Sequence, residues 1–528
     1  MGTVLGSRLG RPARDRAPLR GYRWTLVGLV VVPPLCRVVH LLVTAPSDRW
    51  ALFADDSYYY FGVVRNVLAG NGSTFTGLVE TNGYHPLWAV ALAPAVGAFG
   101  GGGGLLFAVV ALQSVLWAVT VVEMLRIGRL VGTWEAAAAG VAVYGTFAAI
   151  SGSLAFTGME SALVVPLLVL TIRHVMTADG SPRTDLVLGL LLALVCLARL
   201  DAVIAAVPLG VVALFRNPDP PAVRTRRALR LATPAAAALM CYLALNAAVF
   251  GTATPVSGRA KSLGAPFWNP TPLRQYLEAG ELAGRPLWFG LAATVFAVAA
   301  WRWSAAGDDP IGRLRSCLGA LLVGQGGLMT YLVVGTSYQL WPWYHYLVAT
   351  YAFCATVIVA HLVQAKHGHV IARGCCGVAA AFLIVQALVL FRPEPAAFRP
   401  SVAAAEFVQQ DLPANAVLAM GDRAGIFGYL ADRPLLQLEG LVADADYLAE
   451  LDSGGMAARM ADEGVDYYVH YGSDGRSTGA GCTRFEEPAQ GHGPKQWITV
   501  CEQDLVFSAG DAGDQLQIWR FRAHLNGA

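Results

Sequence analysis

Two adjacent carboxylates open the segment Asp55-Asp-Ser-Tyr-Tyr-Tyr-Phe-Gly-Val-Val-Arg-Asn66, and a second polar run, Thr81-Asn-Gly-Tyr-His-Pro-Leu-Trp88, follows it. Neighbouring carboxylates repel, which raises one pKa toward the range a general base needs to take a proton from a hydroxyl. The same acids stand before Tyr58, Phe61, Val64 and Leu68, which recur at helical spacing up to the stop signal Gly70, so they also suit the cap of an interfacial amphipathic helix. One cap needs one acid, and of the pair Asp55 is taken first as the base. Arg65 and His85 add cations for a phosphate. Asp55, Asp56 and His85 together offer ligands for a divalent ion such as Mg or Mn, although the spacing requires none.

Further candidates lie elsewhere in the chain. Glu160 either hydrogen-bonds a substrate or caps the helix that begins at Ser161. Arg199-Leu-Asp201 places a charge pair inside a long apolar tract, where each charge costs about 3 kcal/mol unless it is paired or reaches water. It reads either as an orienting pair for Asp55 or Asp56 or as a structural pair. In Pro255-Val-Ser-Gly-Arg-Ala-Lys261, Arg259 and Lys261 flank small residues and suit a phosphate, or else snorkel toward lipid head groups. Trp341, Trp343, Tyr344 and His345 form either an interfacial aromatic belt or a stacking platform for a ring. Tyr58 and Asn82 complete the set on the acceptor side.

These residues need a scaffold, and composition says which kind. The 528-residue chain is 55% hydrophobic and only 14% charged, with a mean hydropathy of +0.50, more apolar surface than a water-soluble fold hides. A formal net charge of +2 with no basic face gives no support to a nucleic-acid partner. Residues 1–23 carry Arg8, Arg11, Arg14, Arg16, Arg20 and Arg23 against Asp15 and precede an apolar run from Trp24 to Val43. That pattern predicts an uncleaved first helix with a cytoplasmic N-terminus.

Ten further apolar stretches lie near 104–124, 135–150, 162–178, 186–198, 202–215, 231–250, 285–302, 314–335, 346–364 and 373–391. If Pro86 to Gly100 also crossed fully, every later basic loop would face outward, against the positive-inside rule. A re-entrant or interfacial helix there, broken by the glycines Gly100 to Gly104, puts all of them in the cytoplasm. The expectation is an α-helical polytopic membrane protein of about eleven transmembrane helices plus that re-entrant or interfacial helix. Its outer loops are 45–86, the region of Glu160, the turn at Arg199, 251–272 and 338–344.

Residues 24–392 thus form the membrane domain, and 393–528, opened by Pro393, Pro395 and Pro400, form a small extracytoplasmic α/β domain. Strands are expected over 416–420, 434–438, 465–471, 496–500 and 515–521, with helices over 402–411 and 443–463. The segment from Gly421 to Gly428 lacks the spacing of a dinucleotide loop and is read as a fold-specific turn within reach of the acceptor. Seven of nine cysteines lie in or beside apolar stretches as small hydrophobes, whereas Cys482 and Cys501 sit in the outer domain, where a disulfide can form.

The segments Asp55-Asp56, Tyr58 to Asn66, Thr81 to Trp88, Gly158-Met-Glu160, Ala198-Arg-Leu-Asp201, Pro255 to Lys261 and Gly425-Ile-Phe-Gly-Tyr429 together resemble a bacterial branch of the GT-C superfamily of polyprenyl-phosphate-sugar glycosyltransferases, the group that includes protein O-mannosyltransferase-like and arabinosyltransferase-like members. The resemblance spans most of the chain. It implies an inverting transferase in the plasma membrane, with an Asp base in the first outer loop, a polyprenyl-phosphate-linked sugar donor, and a glycan, lipid or protein of the cell envelope as acceptor. Some members use a divalent metal. A lipid-linked sugar transporter or flippase, and a non-enzymatic envelope assembly protein, are the alternatives that a bundle with charges at membrane depth leaves open.

Overall fold

The computed structural model describes residues 19–526 except 133, 152–153, 279, 283–284, 391–397, 480, 490–493 and 512. Arg8, Arg11, Arg14, Arg16 and the proposed boundary at 393 lie outside the described residues. Every apolar stretch picked from the sequence forms a helix. In chain order these are α1 (Leu19–Val43), α2 (Asp55–Ala69), α3 (Pro86–Phe99), α4 (Gly104–Val131), α5 (Trp134–Ser151), α6 (Ser161–Thr177), α7 (Pro182–Ala198), α8 (Val203–Phe215), α9 (Pro221–Phe250), short α10 (Val256–Ser262) and α11 (Thr271–Leu277), then α12 (Phe289–Trp303), α13 (Pro310–Gly335), α14 (Tyr346–His367) and α15 (His369–Leu390). Five helical stretches, among them Gly104–Val131 and Pro310–Gly335, are long and apolar enough to cross a membrane, and shorter apolar helices fill the bundle between them. The chain is a multi-pass membrane protein.

The segment expected to be re-entrant or interfacial forms α3. Its 14 residues reach only about 21 Å, short of the roughly 30 Å hydrocarbon layer, and Gly100, at φ 57°, turns the chain out of it. Close packing in the bundle follows from small residues. α5 is rich in alanine and glycine and lies against α14 and α15; a Cβ on Gly140 would stand 2.7 Å from the Phe353 ring, an approach that a larger residue would prevent.

Contacts sort the loops into two ends. Arg216 donates to Val175 O and Arg313 to Met176 O, Arg227 pairs with Asp185 and Asp219, and Arg173 pairs with Glu123. The basic loops therefore meet at one end of the bundle. At the other end the first loop, the segment before α6, the stretch around α10 and residues 338–344 gather beneath the C-terminal domain.

That domain contains α16 (Arg399–Asp411), β3 (Leu418–Met420), α17 (Ala424–Ala431), β4 (Leu435–Gln437), α18 (Ala445–Ser453), α19 (Met456–Asp462), β5 (Tyr467–Tyr471), β6 (Arg476–Gly479), β7 (Cys482–Glu487), β8 (Gln496–Cys501), β9 (Leu505–Ala509) and β10 (Leu516–Arg520), the numbers β1 (Gly280–Leu282) and β2 (Arg285–Leu287) belonging to a hairpin before α12. A five-stranded sheet has the order β4-β3-β5-β10-β9, and β6-β7-β8 form a second sheet. Cys482 faces Cys501 across β7 and β8 and is joined to it by a disulfide.

Three local expectations change. The helix expected over 443–463 is two helices, because Gly454 takes the left-handed conformation at φ 88° that ends α18. The segment read as a turn after Gly421 is mostly the helix α17. And α2 is not an interfacial amphipathic helix: Ser57 through Val64 are all buried, and α2 is clamped between α3 and α17.

Candidate active site

The crossover β3–α17–β4 turns the N-terminus of α17 toward the first loop. Gly425 N and Ile426 N donate to Asp55 Oδ2 and Oδ1 at 2.9 and 2.8 Å. Both carboxylate oxygens are thus committed to capping a helix 370 residues further along the chain, where the partial positive charge of the helix end favours an anion. Gly425 is required for this approach, since a Cβ there would meet Asp55 O and lie 2.7 Å from Oδ2. Burial raises the pKa of Asp55 to about 6, with the two backbone donors working in the opposite direction. The cap reading and the base reading of the pair separate here: Asp55 is the cap, though of α17 rather than of its own helix.

Asp56 points elsewhere. Among the described residues no hydrogen bond or ion pair reaches it, and it lines a cavity of about 500 Å³ together with Lys261, Asp422, Arg423, Glu439, Trp341 and Trp343. Burial raises its pKa to about 7; the Lys261 charge pulls it down, while Asp55, Glu160 and Asp422 push it up. A carboxyl raised this far toward neutrality has the poise of a proton acceptor. Burial works against the Lys261 ammonium, but Tyr344 and Asp56 outweigh it and raise its pKa, so it stays charged.

Lys261 is held in place. Its Nζ donates to Tyr344 Oη at 3.1 Å, its carbonyl accepts from Ser337 N, and the Arg199 guanidinium lies 4.7 Å from the Tyr344 ring centroid. Arg199 itself is fully enclosed and ion-paired twice, with Glu160 at one nitrogen and with Asp201 at 2.8 Å at another. Tyr60 also donates to Glu160, at 3.0 Å. Breaking such a buried pair costs about 3–5 kcal/mol, so these charges form a rigid floor beneath a smaller extension of the cavity that holds Asp56, His85, Glu160, Arg199 and Tyr344. Trp341 and Trp343 stack at 5.4 Å and 7° in the wall, an apolar face of the kind that packs on sugar rings.

The sequence-derived candidates divide accordingly. Asp55, Asp56, His85, Glu160, Arg199, Lys261, Trp343 and Tyr344 line the two connected spaces, and Asp201 sits behind Arg199. His85 is neutral rather than cationic, because burial lowers its pKa to about 4. Arg65 is turned away to Asp432 at 3.1 Å and lies over the Tyr429 ring. Arg259 is exposed and does not line the cavity. Tyr58 packs between Trp50, Phe61 and Tyr429. Asn82 accepts from Val256 N at 2.9 Å and ties the first loop to α10. His345 stacks on Tyr276 behind the wall. Among the described residues no group of three or more His, Cys, Asp or Glu side chains is arranged to hold a metal, and Asp55, one of the three offered by the sequence, faces α17.

Sequence reasoning missed Asp422, Arg423 and Glu439. Arg423 takes φ 58°, which a non-glycine residue rarely adopts; Tyr471 anchors it through a 2.7 Å hydrogen bond and its ring face. Glu439 has its pKa raised by burial and by the nearby Asp422 and Glu487 charges. The cue available was the glycine run Gly421, Gly425 and Gly428, whose close approaches to Glu487, Asp55 and Phe75 mark a segment pressed against other chain.

A multi-pass helical bundle whose first loop, second polar loop and C-terminal α/β domain enclose a charged cavity is an arrangement shared with membrane proteins of known structure. No protein-family model matches the sequence, and no curated protein matches it. Among solved structures the chain is similar to ArnT from Cupriavidus metallidurans bound to undecaprenyl phosphate, at 12% identity and a TM-score of 0.52 over 85% of this chain and 93% of that one. It is also similar to the apo form of that protein, at 14% identity and 0.49 with the same coverage, and to an oligosaccharyltransferase from Archaeoglobus fulgidus tethered to an acceptor peptide, at 12% identity and 0.47 over 85% of this chain and 69% of that one.

Proposed function

We propose that this protein is a membrane glycosyltransferase that moves a sugar from a polyprenyl-phosphate carrier to a hydroxyl of an extracytoplasmic acceptor, with Asp56 as the base. The observation that carries the reading is a carboxylate that no hydrogen bond or ion pair reaches among the described residues, raised toward neutrality and sharing with a held ammonium a cavity walled by stacked tryptophans. The undecaprenyl phosphate bound by the ArnT of similar fold supports a carrier of that class.

In the proposed step the acceptor oxygen attacks the anomeric carbon, and its proton passes to Asp56 Oδ. The bond from that carbon to the phosphate oxygen breaks with its electron pair, and the anomeric centre inverts. Lys261 and Arg423 offset the charge left on the departing phosphate, which needs no protonation to leave. Arg199 acts through Tyr344 to hold Lys261. This reading replaces Asp55 by Asp56 as the base and Arg65 and Arg259 by Arg423 as a phosphate partner. The disulfide and the gathering of basic loops at the opposite end of the bundle support an extracytoplasmic cavity, a cytoplasmic N-terminus and the plasma membrane as location. A cell-envelope glycan, lipid or protein is the acceptor class that this location supplies.

The test is transfer by the purified full chain in nanodiscs, offered a panel of radiolabelled polyprenyl-phosphate sugars and a cell-envelope extract. Label should leave the carrier with the wild type and stay on it with Asp56→Asn. No transfer from any carrier, or equal transfer by both proteins, rejects the proposal.

A further inference from the structure

At the end of the bundle remote from Asp56 lies a second cavity, of about 470 Å³, lined by Val175, Val211, Val212 and Phe215 on one side and by Arg216, Asp308, Arg313 and Ser316 on the other. The 17 residues of α6 separate Glu160 from it by about 25 Å, so it takes no part in the chemistry above. Two guanidiniums face one carboxylate there, and that carboxylate, Asp308, is 70% exposed. The cavity is left with an excess positive charge.

The arginines are fixed and only partly used. Arg216 Nη1 donates to Val175 O at 2.8 Å and Arg313 Nη1 to Met176 O at 3.0 Å, both at the last turn of α6. Arg313 also donates through Nε and Nη2 to Asp308 at 2.9 and 3.1 Å. Arg216 reaches Asp308 only through Nε, at 3.4 Å, and its Nη2 has no hydrogen bond among the described residues. From this mouth an apolar stripe runs along α8: Phe215, Val211 and Val207 follow one another at four-residue spacing and are 59%, 48% and 60% exposed. An immobile cationic mouth leading to an exposed aliphatic stripe is complementary to an amphiphile with an anionic head, and basic pockets between membrane helices are a known setting for phosphate-bearing lipids.

We propose that this cavity binds the phosphate of an anionic phospholipid, with Arg216 as the main donor and the acyl chains lying along Phe215, Val211 and Val207. The site is independent of the transfer reaction.

The full chain, stripped of lipid in neutral detergent, is titrated with phosphatidylglycerol, with phosphatidylcholine and with inorganic phosphate, and binding is read by native mass spectrometry and by the shift in Tm. Phosphatidylglycerol should bind and raise Tm, with phosphatidylcholine at least about tenfold weaker. Arg216→Gln should weaken phosphatidylglycerol at least about tenfold, the loss of a charge-assisted hydrogen bond. Because Arg216 also holds Val175 O, Ser316→Asp gives a second variant that adds repulsion; the Ser316 hydroxyl donates only to Gly312 O within its own helix. Equal affinity for the two lipids, or undiminished phosphatidylglycerol binding in both variants, overturns the proposal. Protection by inorganic phosphate alone overturns the lipid as occupant.

Discussion

Asp55 and Asp56 are neighbours of the same residue type, yet the structure gives them opposite phenotypes on amidation. Asp56→Asn removes a proton acceptor that makes no hydrogen bond among the described residues, so transfer should fall about 10²- to 10⁴-fold, or about 3–5 kcal/mol in barrier, with no loss of stability. The sign can be worked through: the folded-state pKa of Asp56, about 7, lies above its ordinary value of 3.8. Folding therefore favours the protonated acid, a contribution present at low pH and lost as pH rises through about 7. Asparagine is neutral throughout, and at pH 8 the variant should melt at the wild-type temperature or higher. Asp55→Asn leaves one oxygen to accept and sets its NH2 against the second backbone donor, a loss of about 2 kcal/mol; read at pH 5, below the Asp55 pKa of about 6, where no charge is lost, it should melt lower and expose the C-terminal domain to protease. Activity of the wild type should rise with pH along a one-proton limb centred near 7, with about a tenth of the plateau left at pH 6, as read by initial rates on a lipid-linked sugar. A folded Asp56→Asn enzyme that retains more than a tenth of wild-type activity would refute the assignment, as would Asp55→Asn losing activity with its melting curve unchanged.

Lys261→Met should raise KM for the lipid-linked donor and move the acid limb of the pH profile upward, because the charge that lowers the Asp56 pKa is gone; an unmoved limb removes Lys261 from the site. Gly425→Ala sets a Cβ against Asp55 and should undock α17, seen as a lower Tm and a several-fold loss of kcat, whereas Gly374→Ala, in open space on α15, serves as the unaffected control. Cys482→Ser opens a 19-residue separation and should cost the C-terminal domain about 3 kcal/mol, matched in the wild type by adding reductant during a denaturant titration.

What the sequence disclosed follows the range of the interactions involved. The membrane helices, including the short α3 and its glycine terminator, were legible because hydropathy and loop charge are local and additive. The pair Asp55-Asp56 was visible too, but the division of labour within it was not: the donors at Gly425 and Ile426 come from a segment whose position depends on folding of the whole C-terminal domain. Arg65 and Arg259 looked like phosphate ligands because both are cations near the right loop; Asp432 in one case and exposure in the other took them out of the cavity. The burial of α2 on all sides was foreshadowed by Tyr58-Tyr-Tyr-Phe61, which is apolar around the full turn rather than along one stripe. β6, β7 and β9 were missed because β6 is exposed throughout and the burial of β7 and β9 is mixed, so the alternation that marks a half-buried strand is weak.

The cap that Asp55 places on α17 also sets an order in time. The first loop leaves the ribosome and reaches the membrane surface long before residues 425 and 426 exist, and every membrane helix is inserted in the interval. During synthesis α2 has no lid and Asp56 has no wall of Asp422, Arg423 and Glu439 around it. The pocket around Asp56 is thus completed by the last quarter of the chain, and a prematurely terminated product occupies the membrane as a bundle without a finished site.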